Sequence, residues 1–315
     1  MARIAILDDY QDLSTTLADW SALAASHEIT VFDKHIPAGP ELVSALREMD
    51  VVCLMRERTA FGRDMIDALP NLRLIVTAGM RNAAIAIEAA KARGITVSGT
   101  PVNSHATAEL TLGLMLGLAR HIAVESANMR NGGWQSTLGT ELSGRTLGIV
   151  GLGNLGRQVA GYGQALGMPV VAWSENLTSE QAQTVGVRRV SKDELFRNAD
   201  VITIHTKLSE RTRGLVSARE LRLMKGTALL INTSRGPIID EPALIAALSE
   251  NRIGGCGLDV FDEEPLPVDH PLRREPRALL TPHLGYWTRD NLADWYTGMV
   301  EAVTAFLEGA PIRQL

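Results

Sequence analysis

The sequence lacks the features that mark secreted, membrane and nucleic-acid-binding proteins. Only two cysteines, Cys53 and Cys256, occur among 315 residues, which excludes a disulfide framework or a cysteine-rich metal site. No apolar run approaches membrane-spanning length, and the N-terminus lacks the apolar core of a signal peptide. The net charge is −5, so no basic field attracts nucleic acid or anionic membranes. We therefore expect a cytoplasmic protein without metal, nucleic-acid or membrane partners, whose thiols are reduced and buried.

Short apolar runs alternate with helical patterns along most of the chain. This alternation predicts parallel sheets wrapped by helices, and the length suffices for two such domains. The predicted fold class is therefore α/β, with two doubly wound parallel sheets. The predicted strands are 4–7, 29–32, 51–54, 72–76 and 95–97 in the first series, then 147–150, 169–173, 200–204, 227–231, 255–258 and 278–280.

Two long segments outside this alternation are predicted to be helical. Residues 103–130 carry small and apolar side chains on most faces, which predicts a long helical segment that is buried, in part against another subunit. Residues 291–307 repeat apolar side chains at helical spacing, among them Leu292, Trp295 and Met299. This second helix is predicted to return to the first domain.

A glycine-rich turn follows the first strand of the second series. Residues 146–156 read T-L-G-I-V-G-L-G-N-L-G, in which an apolar strand leads into three glycines and then a helix. Gly151 permits a tight turn, Gly153 lets the backbone approach a pyrophosphate, and Gly156 lets the helix pack closely on the strand. Because Asn154 and Leu155 open that helix, we predict that these five residues bind a dinucleotide at its N-terminus. The alternative is a glycine-rich turn without a ligand.

Three further segments place chemically capable side chains where a strand gives way to a loop. They carry Arg235 in N-T-S-R-G, Asp259 and Glu264 in L-D-V-F-D-E-E-P, and His283 in P-H-L-G. Ligands of open parallel sheets bind beyond the carboxyl ends of the strands, so these groups are predicted to converge. Each alone has a plainer explanation as a surface or turn residue, whereas together, behind a dinucleotide turn, they predict a catalytic site.

These motifs resemble those of the D-isomer-specific 2-hydroxyacid dehydrogenase family, over nearly the whole chain. The resemblance implies a flavodoxin-like substrate domain, residues 1–100 plus 288–315, and a Rossmann cofactor domain, residues 101–287. It also implies a homodimer and a cleft in which Arg235, Glu264 and His283 act together. The implied reaction moves a hydride between NAD(P)H and a small 2-oxo acid or its D-2-hydroxy acid.

The chemistry of that reaction suits the residue types. Reducing a 2-oxo acid places negative charge and then a proton on the carbonyl oxygen, and His283 would supply or take up that proton. Glu264 would orient the imidazole and favour its protonated form, and Arg235 would bind carboxylate and carbonyl oxygens with its planar fork. By resemblance, Asp259 would contact the nicotinamide end of the cofactor.

The first domain is predicted to bind the substrate carboxylate through backbone N–H groups at Gly79 and Met80. Arg56 is a second candidate for this anion, although a surface arginine paired with Glu57 explains it equally well. Two features depart from the commonest family pattern. They are Arg81-Asn82 beside the glycine turn and the bulky Tyr286-Trp287 after His283, which are expected to shape the substrate pocket.

The choice between NAD and NADP depends on Ser174, which stands where NAD-preferring relatives carry Asp. An acidic side chain there binds the ribose 2′-hydroxyl and repels a 2′-phosphate. Ser174 removes that repulsion, yet Glu175 follows and residues 176–179 offer no cation. Lys207 could compensate from a neighbouring loop. We predict NAD as the cofactor and leave NADP open.

Three alternatives remain open from the sequence. One is a nucleotide-sensing binding protein like the corepressors that share this fold. A second, within the enzyme class, is a 3-phosphoglycerate dehydrogenase, and a third is a non-catalytic structural subunit. The complete set of Arg235, Glu264 and His283 favours an enzyme.

Overall fold

The computed structural model describes residues 1–101 and 105–315, and the chain forms two compact units. One unit comprises Met1–Asn103 with Thr288–Leu315, and the other comprises Ser104–Trp287. Each is built on a single parallel sheet with helices packed against it. The predicted α/β class with two parallel sheets is therefore confirmed.

The first unit contains a five-stranded sheet in the order β2-β1-β3-β4-β5, which is the flavodoxin-like order. All neighbouring strands are parallel, and Ile4 of β1 lies opposite Ile29 on one side and Val51 on the other. Its strands are β1 (Arg3–Ile6), β2 (Glu28–Val31), β3 (Val51–Leu54), β4 (Leu74–Thr77) and β5 (Thr96–Gly99).

Helices cover the first sheet because its strands are apolar on both faces. The C-terminal helix α13 belongs to this unit, and it buries Leu292, Trp295, Met299 and Val303. The helices are α1 (Ser14–Leu17), α2 (Ser21–Ala24), α3 (Pro40–Leu46), α4 (Arg63–Asp67), α5 (Ile87–Ala92) and α13 (Arg289–Leu307).

The second unit contains a seven-stranded parallel sheet in the order β12-β11-β10-β9-β6-β7-β8, which contains the Rossmann order. Its strands are β6 (Leu147–Val150), β7 (Val170–Trp173), β8 (Arg188–Arg189), β9 (Val201–Ile204), β10 (Leu229–Asn232), β11 (Gly255–Leu258) and β12 (Ala278–Leu280). All eleven predicted strands are present in the two sheets. The edge strand β8 was missed because two exposed arginines carry no apolar signature.

The helices of the second unit pack on both faces of this sheet, over two apolar clusters. They are α6 (His105–Ala119), α7 (Ile122–Arg130), α8 (Asn154–Ala165), α9 (Ser179–Gln183), α10 (Lys192–Asn198), α11 (Ala218–Leu223) and α12 (Glu241–Ser249), with single 3₁₀ turns at Gly236–Ile238 and Pro271–Arg274.

The predicted helical segment 103–130 is helical over most of its described part, but the prediction that it is buried throughout is wrong. Two helices, α6 and α7, meet at a bend of 65°, where His121 adopts a positive φ of 52°. Helix α6 is partly buried, but α7 buries no residue because its polar side chains leave no continuous apolar face. The beginning of the predicted segment, at residues 103 and 104, lies outside the described residues.

Among the described residues, no single helix is both long and apolar enough to cross a bilayer. The bent pair α6 and α7 reaches that length and composition only when its two members are counted together.

Candidate active site

The glycine turn after β6 has the geometry that a dinucleotide requires. Gly151 has a φ of 98°, and a Cβ there would lie 2.7 Å from the carbonyl oxygen of His205, at the end of β9. A Cβ on Gly156 would lie 2.1 Å from the carbonyl oxygen of Gly151. The turn therefore packs against β9 at the point where the strand order reverses, which is the usual ligand crevice of this fold.

Open space and free backbone donors complete this turn. Among the described residues, no atom lies within 4 Å of where a Cβ on Gly153 would be, and no side chain caps the N-terminus of α8. The first amide groups of α8, at Asn154 and Leu155, therefore remain available to an anion. The Leu155 side chain packs on the apolar cluster beside β6, so only its backbone suits the cofactor. The residues present thus fit the pyrophosphate of a nicotinamide dinucleotide.

Ser174 directly follows β7, at the same carboxyl edge of the sheet. Its carbonyl accepts a hydrogen bond from the Leu177 N–H at 3.1 Å, which closes a tight turn. This is the position from which Rossmann domains contact the ribose of the adenosine half.

The structure brings Glu264 and His283 into direct contact. His283 Nδ1 lies 2.6 Å from Glu264 Oε2, while Glu264 Oε1 accepts the backbone N–H of Phe261 at 2.9 Å. Burial raises the pKa of Glu264, but the hydrogen bond and charge of His283 outweigh it, and the pKa is lowered overall. Glu264 is therefore an ionised partner at neutral pH, and Nε2 is the ring nitrogen left for a ligand.

Arg235 lies near this pair. Its charge contributes to the lowered pKa of Glu264, and its guanidinium donates to the Ser234 carbonyl at 2.7 Å. A Cβ on the following Gly236 would lie 2.0 Å from the carbonyl carbon of Phe261. Only glycine permits this close approach of the loop that carries Arg235 to the loop that carries Glu264.

Asp259 is a buried carboxylate that holds the loop bearing His283. Its Oδ1 accepts hydrogen bonds from Thr281 Oγ1 at 2.6 Å and Leu284 N at 2.7 Å. Its Oδ2 accepts the Gly285 N–H at 2.8 Å. Burial raises the pKa of Asp259, and these three hydrogen bonds oppose the rise. Each of these hydrogen bonds thus goes to a residue within two positions of His283.

His283 also has an unusual backbone conformation. Its φ of 54° lies in the left-handed region, which costs a non-glycine residue free energy unless its surroundings hold it there. The hydrogen bonds of Asp259 to both sides of His283 provide that constraint. The His283 ring also makes an edge-to-face contact with Tyr286, at 5.4 Å between centroids, so the aromatic bulk predicted after the histidine lies against the imidazole.

Replacement of Asp259 by Asn tests whether this carboxylate positions His283. The amide presents an N–H₂ group toward N–H donors, and an unpaired buried donor costs about 1–3 kcal/mol, so we expect kcat to fall about tenfold or more. Cofactor affinity, measured by calorimetry, should stay within about twofold. A selective loss of cofactor affinity with kcat preserved would instead support the predicted nicotinamide contact. Asp269→Asn is the control, because it makes the same change at an exposed aspartate outside the predicted site.

The three predicted substrate residues of the first unit lie together. The Arg56 guanidinium donates to the carbonyls of Ala78 at 3.1 Å and Arg81 at 3.3 Å, across the turn that contains Gly79 and Met80. It also lies 3.5 Å from Glu57, which was the alternative explanation. The Gly79 N–H is occupied by Thr100 Oγ1 at 2.7 Å, whereas the Met80 N–H has no partner among the described residues. Met80 is therefore the better backbone donor of the two.

Sequence reasoning missed two residues that support the site. Thr281 donates to Asp259, and a hydroxyl two positions before the histidine was the available signal. His205 contributes the carbonyl beside Gly151, and burial lowers the pKa of its imidazole to about 4, so its ring is neutral.

Cys53 and Cys256 are free and buried, and no cluster of potential metal ligands occurs among residues 1–101 and 105–315.

Comparison with known proteins supports the same interpretation. Residues 112–285, more than half of the chain, match the family described as "D-isomer specific 2-hydroxyacid dehydrogenase, NAD binding domain". A glyoxylate reductase from Aeropyrum pernix is 36% identical over 299 residues, 91% of this chain and 89% of that protein. A D-3-phosphoglycerate dehydrogenase from Methanocaldococcus jannaschii is 38% identical over 273 residues, 85% of this chain. The chain spans about half (52%) of that second relative.

A solved structure shows similarity over the whole chain. A putative D-3-phosphoglycerate dehydrogenase from Ralstonia solanacearum superimposes with a TM-score of 0.93 at 33% identity, covering 100% of this chain and 96% of that one. The family match confirms the predicted nicotinamide cofactor, because its description is that of an NAD-binding domain. The chain therefore belongs to the D-isomer-specific 2-hydroxyacid dehydrogenases, oxidoreductases that act on a CH–OH group with a nicotinamide cofactor.

Proposed function

We propose that this enzyme interconverts a small 2-oxo acid and its D-2-hydroxy acid, with His283 as the acid–base residue. The observation that carries the proposal is the 2.6 Å contact between His283 Nδ1 and Glu264 Oε2, with the charge of Arg235 close by. A proton donor and a cation beside one another are what a developing oxyanion requires.

Glu264 would determine which nitrogen of His283 carries out the proton transfer. Because Glu264 Oε2 binds Nδ1, the proton given to the substrate oxygen would leave from Nε2. The lowered pKa of Glu264 keeps its carboxylate charged at neutral pH, and this charge stabilises the imidazolium. In the opposite direction, neutral His283 would take the hydroxyl proton at Nε2.

Arg235 would bind the substrate acid before and during the reaction. Its planar guanidinium can donate two parallel hydrogen bonds to a carboxylate and stabilise charge on the adjacent carbonyl oxygen. In the first unit, we propose that the Met80 N–H and the neighbouring Gly79 turn also bind a carboxylate, with Arg56 holding the turn in shape.

The predicted cofactor domain, residues 101–287, contains the second unit and would bind the cofactor. The predicted substrate domain, residues 1–100 and 288–315, would bind the substrate acid. The Gly151–Gly156 turn would hold the pyrophosphate of the nicotinamide cofactor, and Ser174 would face its adenosine half. When bound, the cofactor supplies or accepts the two electrons of the reaction. Asp259 would keep His283 in place beside it.

The experiment that tests this function follows NADH and NADPH absorbance with purified protein and a panel of 2-oxo acids. The panel contains glyoxylate, hydroxypyruvate, 2-oxoisocaproate and phosphohydroxypyruvate. We expect turnover with at least one of them, and preference for phosphohydroxypyruvate would identify a 3-phosphoglycerate dehydrogenase. Cofactor binding without turnover of any 2-oxo acid would contradict the proposal. That result would favour a nucleotide-sensing protein, an alternative that the comparisons do not support.

We further propose that the enzyme is a homodimer joined through an exposed arm, residues 122–141, which comprises α7 and the segment after it. The arm exposes five large apolar side chains, and such a cluster is typical of an interaction surface. They are Ile122, Val124, Met129, Trp134 and Leu138.

We also propose a cytoplasmic location, because the two cysteines are free and buried, as expected in a reducing compartment.

Glu125 ties the end of the arm to its helix. Its Oε1 accepts hydrogen bonds from both the backbone and the hydroxyl of Ser136 and of Thr137. The hydrogen bond from Thr137 is the main cause that lowers the pKa of Glu125 to about 2. The stabilisation from the hydrogen bonds between Glu125 and residues 136–137 is therefore fully present above the ordinary carboxyl pKa. It is lost only as the pH falls through about 2, where Glu125 becomes protonated in the folded protein.

Leu138 and Trp134 are exposed apolar side chains that a partner subunit would cover in the proposed dimer. Leu138→Asp and Trp134→Ala remove these apolar contacts, so both variants are expected to be monomeric. Light scattering after size-exclusion chromatography measures the mass, which for the wild-type dimer should be unchanged between pH 7 and pH 5. Val268→Asp is the control, since Val268 is equally exposed but lies outside the arm. A monomeric wild type, or variants that remain dimeric, would contradict the proposed interface.

A further inference from the structure

The edge strand β8 consists of two arginines with different surroundings. Arg188 pairs with Glu194, at 2.8 Å between NH1 and Oε1. Arg189 lies opposite Ala172 of β7, and its Nε donates to the carbonyl of Leu177 at 2.6 Å. Adjacent residues of a strand point to opposite faces, so the two guanidinium groups occupy different sides of the sheet.

Leu177 belongs to the turn that begins at Ser174, as its N–H donates to the Ser174 carbonyl at 3.1 Å. The Arg189 guanidinium therefore lies against the turn that follows β7, the place where Rossmann domains distinguish a ribose 2′-hydroxyl from a 2′-phosphate. Arg189 is exposed, and its two terminal nitrogens make no other hydrogen bond within the described part of the chain. This cation was not apparent from sequence because it is 15 positions beyond Ser174.

The electrostatics around the turn agree with this placement. Arg189 contributes, after hydrogen bonds from the Glu180 backbone and from Thr178, to the lowered pKa of Glu180 on α9. Its positive charge is thus felt at the residues that follow the turn. Glu175 is the nearest carboxylate in sequence to Ser174, but it is exposed, so water and salt screen its repulsion of an anion.

We propose that Arg189 and Ser174 form a binding site for the 2′-phosphate of NADP(H), so that this enzyme accepts the phosphorylated cofactor. The inference rests on the nicotinamide-dependent function proposed above. Arg189 supplies a fork of charged donors, which matches phosphate oxygens, and Ser174 supplies a hydroxyl in place of a repelling carboxylate. The site lies in the second unit alone.

Binding of 2′,5′-ADP and 5′-AMP to the full-length protein, measured by calorimetry, tests the proposal without turnover. The wild type should bind 2′,5′-ADP at least tenfold more tightly than 5′-AMP. Arg189→Gln should weaken 2′,5′-ADP binding about tenfold or more and change 5′-AMP binding less than about twofold, because charge-assisted hydrogen bonds to the phosphate are lost. Arg189→Lys should restore part of the difference, and Ser174→Asp should reverse the preference.

Arg188→Gln is the matched control, because it removes the same charge from the same strand on the opposite face. It should leave both affinities within about twofold of the wild type. Equal effects of the Arg188 and Arg189 substitutions, or equal wild-type affinity for the two nucleotides, would overturn the proposal. A global loss of structure would lower both affinities together, whereas the proposed role predicts a selective loss.

The two proposals fail in different ways. Turnover of a 2-oxo acid without selective loss of 2′,5′-ADP binding in Arg189→Gln would refute the phosphate site and leave the enzymatic function intact. Selective loss of 2′,5′-ADP binding without turnover of any 2-oxo acid would refute the function and support the phosphate site.

Discussion

Replacement of His283 by Ala is expected to lower kcat about a hundredfold or more, because the substrate oxygen loses its proton donor. Cofactor affinity should be nearly unchanged, since the glycine turn and Ser174 do not depend on the imidazole. Steady-state kinetics with the best 2-oxo acid of the panel, together with calorimetry for the cofactor, separates the two effects. A kcat within a few fold of the wild type would refute His283 as the acid–base residue.

A second histidine–glutamate pair in the same unit provides the control. His270 Nε2 lies 3.0 Å from Glu241 Oε1, and neither residue belongs to the predicted site. His270→Ala should therefore leave kcat within about twofold of the wild type. Any larger loss, comparable with that of His283→Ala, would mean that the effect reflects stability and not proton transfer.

Glu264→Gln separates the charge of the partner from its shape. The amide keeps a hydrogen-bond acceptor for Nδ1 but removes the negative charge that stabilises the imidazolium. We therefore expect kcat for reduction to fall, because the proton-donating ring loses the charge that stabilises it, while cofactor affinity measured by calorimetry stays close to that of the wild type. A kcat equal to that of the wild type would show that Glu264 orients the ring without stabilising its charge.

Replacement of Arg235 by Ala is expected to raise KM and lower kcat together, with a loss of kcat/KM of about a hundredfold or more. A guanidinium that binds the acid and the developing oxyanion serves both the ground state and the transition state. Arg235 is half-buried, and each hydrogen bond from a charged donor is worth about 1.5–3 kcal/mol, so loss of one or two such bonds gives this magnitude. Unchanged kcat and KM would identify Arg235 as a surface charge.

Arg235→Lys tests the geometry of the fork against its charge. Lys keeps the positive charge near Glu264 but offers no planar pair of donors, so we expect recovery of only part of the loss. Arg197→Ala is the control, because Arg197 forms an exposed pair with Asp193 on α10 and such pairs contribute little. Full recovery in the Lys variant would mean that charge alone is sufficient.

The strands and the glycine turn were predictable because their signals are local. Each buried parallel strand is a short apolar run, and the turn from Gly151 to Gly156 depends on steric limits that hold wherever it occurs. The same reasoning failed for β8, where pairing with β7 imposes extended structure on two exposed arginines. The predicted burial of α7 also failed, because apolar spacing does not reveal that the chain bends at His121 and that the following helix is not packed in the core.

By itself, the sequence determined the fold class, the family and the types of residue available for chemistry. Alternating elements and the fixed handedness of their connections restrict the possible strand orders, and the family motifs are contiguous stretches of sequence. Only the tertiary structure decided which atoms meet: Oε2 of Glu264 with Nδ1 of His283, Asp259 on both sides of the histidine, and Arg189 beside the turn at Ser174. These contacts join residues 12 to 26 positions apart, and their distances depend on how the loops pack, which no local pattern encodes.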